Sequence, residues 1–502
     1  MSTSKKLRIL AELRPANMGF AGIPQETRLV FSSLLDVAEI DVIGLINSAN
    51  RLLQPGYDLS RAKKYSNFEK TNIHSRVIVS MKEERRSKIL SFIHHKVGIP
   101  MEDSILLLMS ILRIRHKIYG FDAEYFDDFI WNEFFSSSLS LEHYSKIADA
   151  AYRTLSPSWE AMQRVGRFIF GHPLYPSVDT RGFDIFLTQM PFPGLISPGT
   201  RMVVRYHDGI SVFQPHTIPQ AINRLEHIKP LRLSAPHATY VCTSAASRAD
   251  LLTLCPEVEA RSYVIHNMVA DSYFEESASE TSLLELIPKH IDSATSPKFR
   301  NLTEQERFFS ELRGPNGFKY ILMVSTLEPR KNHVRLIEAW EMLRAKHGHD
   351  VKLVLVGSLG WQTHRIVNMM RSWLERGEIL HLSGVPAPSL RLLYNGARCV
   401  VCPSIAEGFD QSGIEAMLCG GVTVASDIPV HQEVYGDAAA YFHPYSVEDQ
   451  TNAIRSVISD DSESVARRDW LRLRGLEHAK RYRQNNVTPK WHAFFEELAG
   501  RK

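Results

Sequence analysis

A chain of 502 residues is too long for one ordinary core, so two or three domains are expected. Hydrophobic content of 44% and charged content of 23% are those of a globular protein, and a net charge of +3 gives no global field for nucleic acid. No apolar run reaches the length of a membrane span, the start MSTSKKLRILAELRP lacks a signal-type apolar stretch, and five cysteines fit a reducing cytoplasm.

In chain order, LRILAEL reads as a strand and RPANMGFAGIPQETR as a glycine-bearing loop. A helix, TRLVFSSLLDVAEI, and a strand, DVIGLI, follow, which is the signature of a parallel α/β unit. From about 60 to 170 helical periodicities dominate, as in KEERRSKILSFIHHKVG and SILLLMSILRIRHKIYG, and a helical insertion is expected there. The second of these admits two readings, a core helix of the first domain or a contact with anionic membrane through Arg113, Arg115, His116 and Lys117; the core reading is preferred. The α/β rhythm resumes with FDIFLTQ, RMVVRYHDG, ATYVCTS and SYVIHN, with a helix from about Ser247.

Residues 275 to 316, rich in Ser, Glu, Thr and Pro, read as a mobile insertion and domain boundary. A second unit then begins with the strand FKYILMVST and the helix NHVRLIEAWEMLRAKHG. Leu336, Ile337, Trp340 and Leu343 share one face of that helix, and Gly348 ends it. Further strands are expected at VKLVLVGS, ILHLSG, CVVCPS, VTVAS and AAYFHP. Cys399 and Cys402 form a C-x-x-C, but on a strand they point to opposite faces and read as core cysteines. The expected boundaries are 1–310, 311–485 and a closing helix, 486–502, returning to the first domain.

Two constellations carry chemistry. In STLEPRKNH, Arg330 and Lys331 flank a helix start with Asn332 as the expected N-cap. Two cations beside the positive end of a helix suit a phosphate or diphosphate, or else a solvated turn with Glu328 neutralising Arg330. In EGFDQSGIEAMLCGG, Ser412 and Glu415 fit a capping box, while Glu407, Gly408 and Gly413 have no such explanation; a carboxylate also accepts well from the paired hydroxyls of a ribose or hexose.

VSTLEPRKN, LVLVGSLGW, LSGVP with RLLYNGA, VCPSIAEGFDQSGIEAM and GGVTVASDIPVHQEV, in uninterrupted order over about 318–445, resemble the retaining glycosyltransferases of family 4. MGFAGI, VVRYHDGI and VIHNMV resemble that family more loosely, and the stretch 60–170 does not. The resemblance implies a GT-B fold: two doubly wound Rossmann-like domains facing a cleft, here with a helical insertion in the first.

It also implies that Arg330 and Lys331 neutralise a donor diphosphate, that Glu415 binds the ribose, and that Glu407 faces the donor sugar. His207 would approach the reacting sugar from the opposite domain, with Asp208 fixing its tautomer. Gly19 and Gly22 would bring backbone close to the diphosphate or the acceptor, and Gly22, Ser325, Thr326, Val385, Gly408, Phe409, Asp410, Gln411 and Ser412 complete the expected donor surroundings. Ser325-Thr326 replaces an arginine common in relatives, and Asp410-Gln411-Ser412 replaces Gly-Leu-Pro, which leaves the sugar open.

The activity implied is retaining hexosyl transfer from a nucleoside-diphosphate sugar, first of all GDP-mannose, to a saccharide or lipid-linked saccharide of a bacterial surface polysaccharide. No Asp-x-Asp stands at a suitable strand end, so no metal is expected, and no cofactor beyond the donor. The expected location is cytoplasmic, with peripheral contact at the inner membrane face. A sugar-nucleotide epimerase and a non-catalytic sugar-nucleotide-binding protein remain alternatives.

Overall fold

The computed structural model describes residues 6–19, 22–82, 98–218 and 222–500. Most of KEERRSKILSFIHHKVG lies outside them, so the helix expected there is not addressed.

In the first half the strands are β1 (Leu7–Glu12), β2 (Ile40–Ile46), β3 (Arg115–His116), β4 (Tyr119–Phe121) and β5 (Ala151–Thr154). A hairpin, β6 (Arg167–Ile169) and β7 (His172–Leu174), is followed by β8 (Ser177–Val178), β9 (Ile185–Thr188) and β10 (Leu195–Ile196). β11 (Arg201–Tyr206), β12 (Thr239–Cys242) and β13 (Ser262–Val264) complete this half. The second half contributes β14 (Tyr320–Val324), β15 (Lys352–Val356), β16 (Ile379–Leu382), β17 (Cys399–Cys402), β18 (Thr423–Ser426) and β19 (Ala439–Phe442).

Eight strands form one sheet in the order β13-β12-β11-β9-β1-β2-β5-β4, parallel except for β4. Six form the other, β16-β15-β14-β17-β18-β19, all parallel. Both sheets are covered by helices, so their strands read as apolar runs such as YILMV and KLVLV rather than as alternating patterns. In each sheet the winding reverses once, between β1 and β9 in the first and between β14 and β17 in the second. Ligands of open α/β sheets bind at such reversals, beyond the strand C-termini.

Several expectations need correction. The stretch 60–170 is not a purely helical insertion, since β4 and β5 extend the large sheet and the hairpin lies within it. Two- and three-residue strands are too short to show a period, which is why they escape sequence reading. SILLLMSILRIRHKIYG does not form a core helix: the helix Ile99–Ile111 buries only Leu106 and Ser110. Residues 275–316 are not an unstructured insertion. They form helices Glu280–His290 and Leu302–Ser310, and Asp292 N–H donates to His381 O at 3.0 Å beside β16.

Two element-level expectations are met. Leu336, Ile337, Trp340 and Leu343 are buried on the helix His333–His347, and Gly348 closes it at φ +65°. Cys399 and Cys402 are buried, unbridged strand residues. The last helix, Gln484–Gly500, lies against the first half: Trp491 receives the Arg205 guanidinium at 5.2 Å, and Phe494 meets Tyr263 edge-on at 5.0 Å.

Candidate active site

At the reversal of the second sheet, β14 delivers the loop carrying Arg330 and Lys331, and β17 delivers the loop carrying Glu407. Pro329–Lys331 is one 3-10 turn, after which His333–His347 begins. Asn332 occupies the N-cap position, but its side chain does not cap. It adopts φ +64° and donates Nδ2 to the carbonyls of Pro403 and Pro444, at 3.0 and 2.8 Å, tying the loop to its neighbours. The left-handed backbone, which Asn tolerates, turns the side chain away from its own helix.

Both cations close on Glu407. Arg330 Nη1 lies 2.6 Å from Oε2 and Lys331 Nζ lies 2.6 Å from Oε1. Arg330 also meets Glu328 at 2.7 Å and donates to Ala406 O at 2.8 Å. The Arg330–Glu328 pair expected of a solvated turn therefore exists, but in a buried setting, and Glu407 has a structural partner that sequence reading did not foresee. Burial opposes charge on Arg330, but the carboxylates of Glu407 and Glu328 outweigh it and raise its pKa. Burial also disfavours the Glu407 carboxylate, and Arg330 with Lys331 overcomes this and lowers its pKa.

The capping box is not formed. Asp410, at φ +60°, caps the helix Gln411–Leu418 by accepting from Ser412 N–H at 3.3 Å, and the Ser412 hydroxyl donates to the same oxygen at 2.7 Å. The other Asp410 oxygen meets His431 Nε2 at 3.1 Å. Glu415 is thereby released from capping. It accepts from Gln25 Nε2 at 3.2 Å and Tyr394 OH at 3.0 Å. Burial pushes its pKa up to about 7, and the hydrogen bonds from Gln25 and Tyr394 only partly restrain the rise. For a ribose to reach Glu415, Gln25 or Tyr394 must yield its bond.

The first half meets this loop directly. Gly408 O accepts from the hydroxyls of Thr243, Ser244 and Ser247 at 3.1, 2.8 and 3.1 Å. A Cβ on Gly408 would stand 2.2 Å from His207 O. Phe409 packs between His266 and Tyr482, with ring centroids at 6.0 and 5.4 Å, and Gln411 Nε2 donates to Met268 O at 3.0 Å.

His207 follows β11, half-buried beside Gly408. Asp208 does not fix its tautomer, because its carboxylate accepts from Ile210 N–H at 3.0 Å; the Gln189 backbone meets the imidazole instead. Burial, helped by the Arg205 charge, pushes the His207 pKa down to about 3, so the ring is neutral, and Nε2 has no partner among the described residues.

Gly19 and Gly22 have φ of +93° and +71° at the loop before the helix Ile23–Leu35, and a Cβ on either would meet nothing within 4 Å. Ser325 directly follows β14, where its Oγ lies 3.3 Å from His333 Nε2. Thr326 follows it, half-buried. Val385 lies past β16, at the outer edge of the sheet, and makes none of these contacts.

Sequence reading missed Glu433, whose carboxylate accepts from Ala245 and Ala246 N–H at 2.7 and 3.1 Å and lies 2.8 Å from His266 Nε2. That helix, expected from about Ser247, starts at Ala245 with Ser244 as its cap. IPVHQEV was quoted for its resemblance, but nothing local marks its Glu433 as a ligand of a distant helix N-terminus. Gln25 and Tyr394 were missed for the same reason.

Two facing sheets with half-buried cations at one reversal point define a GT-B architecture, and comparison with known proteins agrees. A sucrose-phosphate synthase from Thermosynechococcus elongatus superposes over 99% of this chain and 100% of its own, with a TM-score of 0.53 at 12% identity. Anabaena Alr3699/HepE in complex with UDP-glucose superposes over 98% of this chain and 100% of its own, with a TM-score of 0.52 at 13% identity.

Residues 304–470 match the family model of glycosyl transferases group 1. The O-antigen chain mannosyltransferase B of Escherichia coli is 34% identical over 169 residues, 34% of this chain and 43% of that protein. The serotype-specific mannosyltransferase WbdA of Escherichia coli is 32% identical over 177 residues, 34% of this chain and 22% of that protein. The match thus spans less than half the length of these curated relatives.

Proposed function

We propose that the chain is a retaining hexosyltransferase that moves mannose from GDP-mannose to a saccharide acceptor, free or lipid-linked, during assembly of a bacterial surface polysaccharide. The observation that carries this reading is the pair Arg330 and Lys331, half-buried at the sheet reversal and sharing Glu407. A diphosphate offers the anionic oxygens that such donors suit. The mannose preference rests on the names of the relatives that match the second half.

In this reaction the bond between the sugar anomeric carbon and the diphosphate oxygen breaks, and the acceptor oxygen bonds that carbon on the same face. The acceptor proton passes to the departing diphosphate. Arg330 and Lys331 would meet the charge growing on the leaving group, so a divalent metal is not required. Neutral His207 would present a hydrogen-bonding nitrogen to the sugar from the facing half. Glu415 would hold the ribose, and Glu407, Gly408, Phe409, Asp410, Gln411 and Ser412 would border the sugar. Gly22, Ser325 and Thr326 would lie along the diphosphate, and Val385 would border the base. The reaction would take place in the cytoplasm.

A thermal-shift panel of nucleoside diphosphates and their sugars tests the reading. GDP and GDP-mannose should raise the melting temperature, by an amount matching about 2.7 kcal/mol at a hundredfold excess over Kd. Labelled mannose should reach a saccharide acceptor, with turnover unchanged by a chelator. If no nucleoside diphosphate stabilises the chain, the donor site is misassigned.

A further inference from the structure

The first half also presents an apolar surface with a projecting tip. The hairpin β6–β7 pairs Arg167 with Leu174, Phe168 with Pro173 and Ile169 with His172, leaving Phe170 and Gly171 as a two-residue turn. Both turn residues have positive φ, +50° and +80°. Such turns suit Asn-Gly or Gly-Gly, whereas a bulky side chain at positive φ is strained. Phe170 gains no packing in return, being 98% exposed, and Phe168 and Ile169 beside it are exposed as well.

The helix Ile99–Ile111 continues this surface. Leu106 packs against Ala161 and Val165 of the helix Trp159–Val165, which runs through Gly166 into β6. Beyond the hairpin, Ser177 of β8 pairs with Arg115 of β3, which directly follows the end of the Ile99–Ile111 helix. The two features are therefore joined on both sides. Towards solvent the helix shows Met101, Ile105, Leu108 and Leu112, of which Met101 is 59% exposed and Leu112 58%.

Two arginines adjoin the end of the helix, and the acids Glu102 and Asp103 lie in its first turns. Arg113 and Arg115 are exposed and make no ion pair among the described residues. The nearby acids Asp103 and Glu160 are both held by Arg164, at 2.9 and 3.9 Å. A convex apolar tip beside unpaired arginines is complementary to a bilayer of anionic lipid, whose headgroups take the arginines while the rings enter the acyl boundary.

We infer that Phe168–Phe170 and the exposed face of Ile99–Leu112 form a membrane-docking surface for anionic lipid. The inference rests on the proposed transfer reaction for its purpose, presentation of a lipid-linked acceptor, and on this surface alone for its chemistry.

The test is co-sedimentation of the full chain with phosphatidylcholine vesicles, with and without phosphatidylglycerol, in the absence of donor and acceptor. Binding should require the anionic lipid and weaken as salt rises. The exposed-site double substitution Ile169→Ser with Phe170→Ser should lower partitioning at least about tenfold. Arg113→Gln with Arg115→Gln should remove most of the salt dependence. Unchanged circular dichroism and an unchanged thermal shift with GDP show that the variants are folded.

The inference is overturned if anionic vesicles do not bind the wild type or bind all variants equally. It is also overturned if light scattering shows a dimer that Phe170→Ser dissolves, since the patch would then join two copies. Because partitioning is read without nucleotide, its failure leaves the donor reading standing. Loss of the donor reading equally leaves partitioning to be measured.

Discussion

Lys331 Nζ and Glu407 Oε1 stand 2.6 Å apart, and Arg330 reaches the other oxygen of the same carboxylate at the same distance. Leaving these groups unpaired here would be costly; together they satisfy one another, and under the proposed function Glu407 holds the place of the donor diphosphate. Glu407→Gln should therefore destabilise the ligand-free chain by about 3 kcal/mol in denaturant unfolding, because two cations lose a buried partner. A nucleoside diphosphate should stabilise this variant more than the wild type, while turnover falls at least about a hundredfold. Equal nucleotide-induced shifts in the two proteins would contradict the shared-anion account.

Gly408 is a contact between the two halves. Its carbonyl takes three hydroxyls from the first half, and its α-carbon leaves no room for a methyl group beside His207 O, 2.2 Å from the Cβ position. Because the obstacle is backbone, Gly408→Ala must move one half relative to the other. The expected result is a larger radius of gyration in small-angle scattering and an activity loss of about a hundredfold, as for a misplaced reacting group. A variant with wild-type compactness and turnover would show that this contact does not hold the halves in register.

What could be read in advance follows the range of the interactions. Fully buried parallel strands gave continuous apolar runs, so β14 to β19 and the helix around Trp340 were legible. The residues gathered at the β14–β17 reversal were named individually, but strand order is non-local, so the closure of Lys331 on Glu407 was not visible. S-x-x-E at Ser412 pointed to the wrong cap because Asp410 takes a left-handed conformation that composition does not announce. The exposed helix Ile99–Ile111 was misread because apolar letters alone do not say whether anything lies against them.

Glu433 offers a separate handle on closure. Its carboxylate bridges to Ala245 and Ala246 N–H at the start of a helix in the facing half and to His266. Burial raises its pKa, but His266 and the two backbone donors outweigh this and lower it below the ordinary carboxylate value. The sign follows: its contribution to closure is present above the ordinary pKa and is lost as pH falls through the lowered one. Scattering should thus report opening of the wild type in acid, and Glu433→Ala should already be partly open at neutral pH. If donor KM is unchanged in that variant, Glu433 does not govern closure.

Glu415 carries the opposite sign. Its pKa is raised from 4.5 to about 7, chiefly by burial, with Gln25 and Tyr394 donating to it. Between those values the folded chain holds a proton that the unfolded chain releases, so stability falls as pH rises across this window and levels off above it. The loss from this group is at most about 3 kcal/mol. Glu415→Gln keeps the shape and the acceptor oxygen but cannot ionise. It should flatten the decline between these pH values and leave the ligand-free variant more stable than the wild type above pH 7. Ribose hydroxyls favour the ionised carboxylate, so wild-type affinity for GDP should strengthen as pH rises through about 7. The variant should bind weakly at every pH. Parallel pH slopes in melting temperature and in Kd would place the titration elsewhere and remove Glu415 from the ribose site.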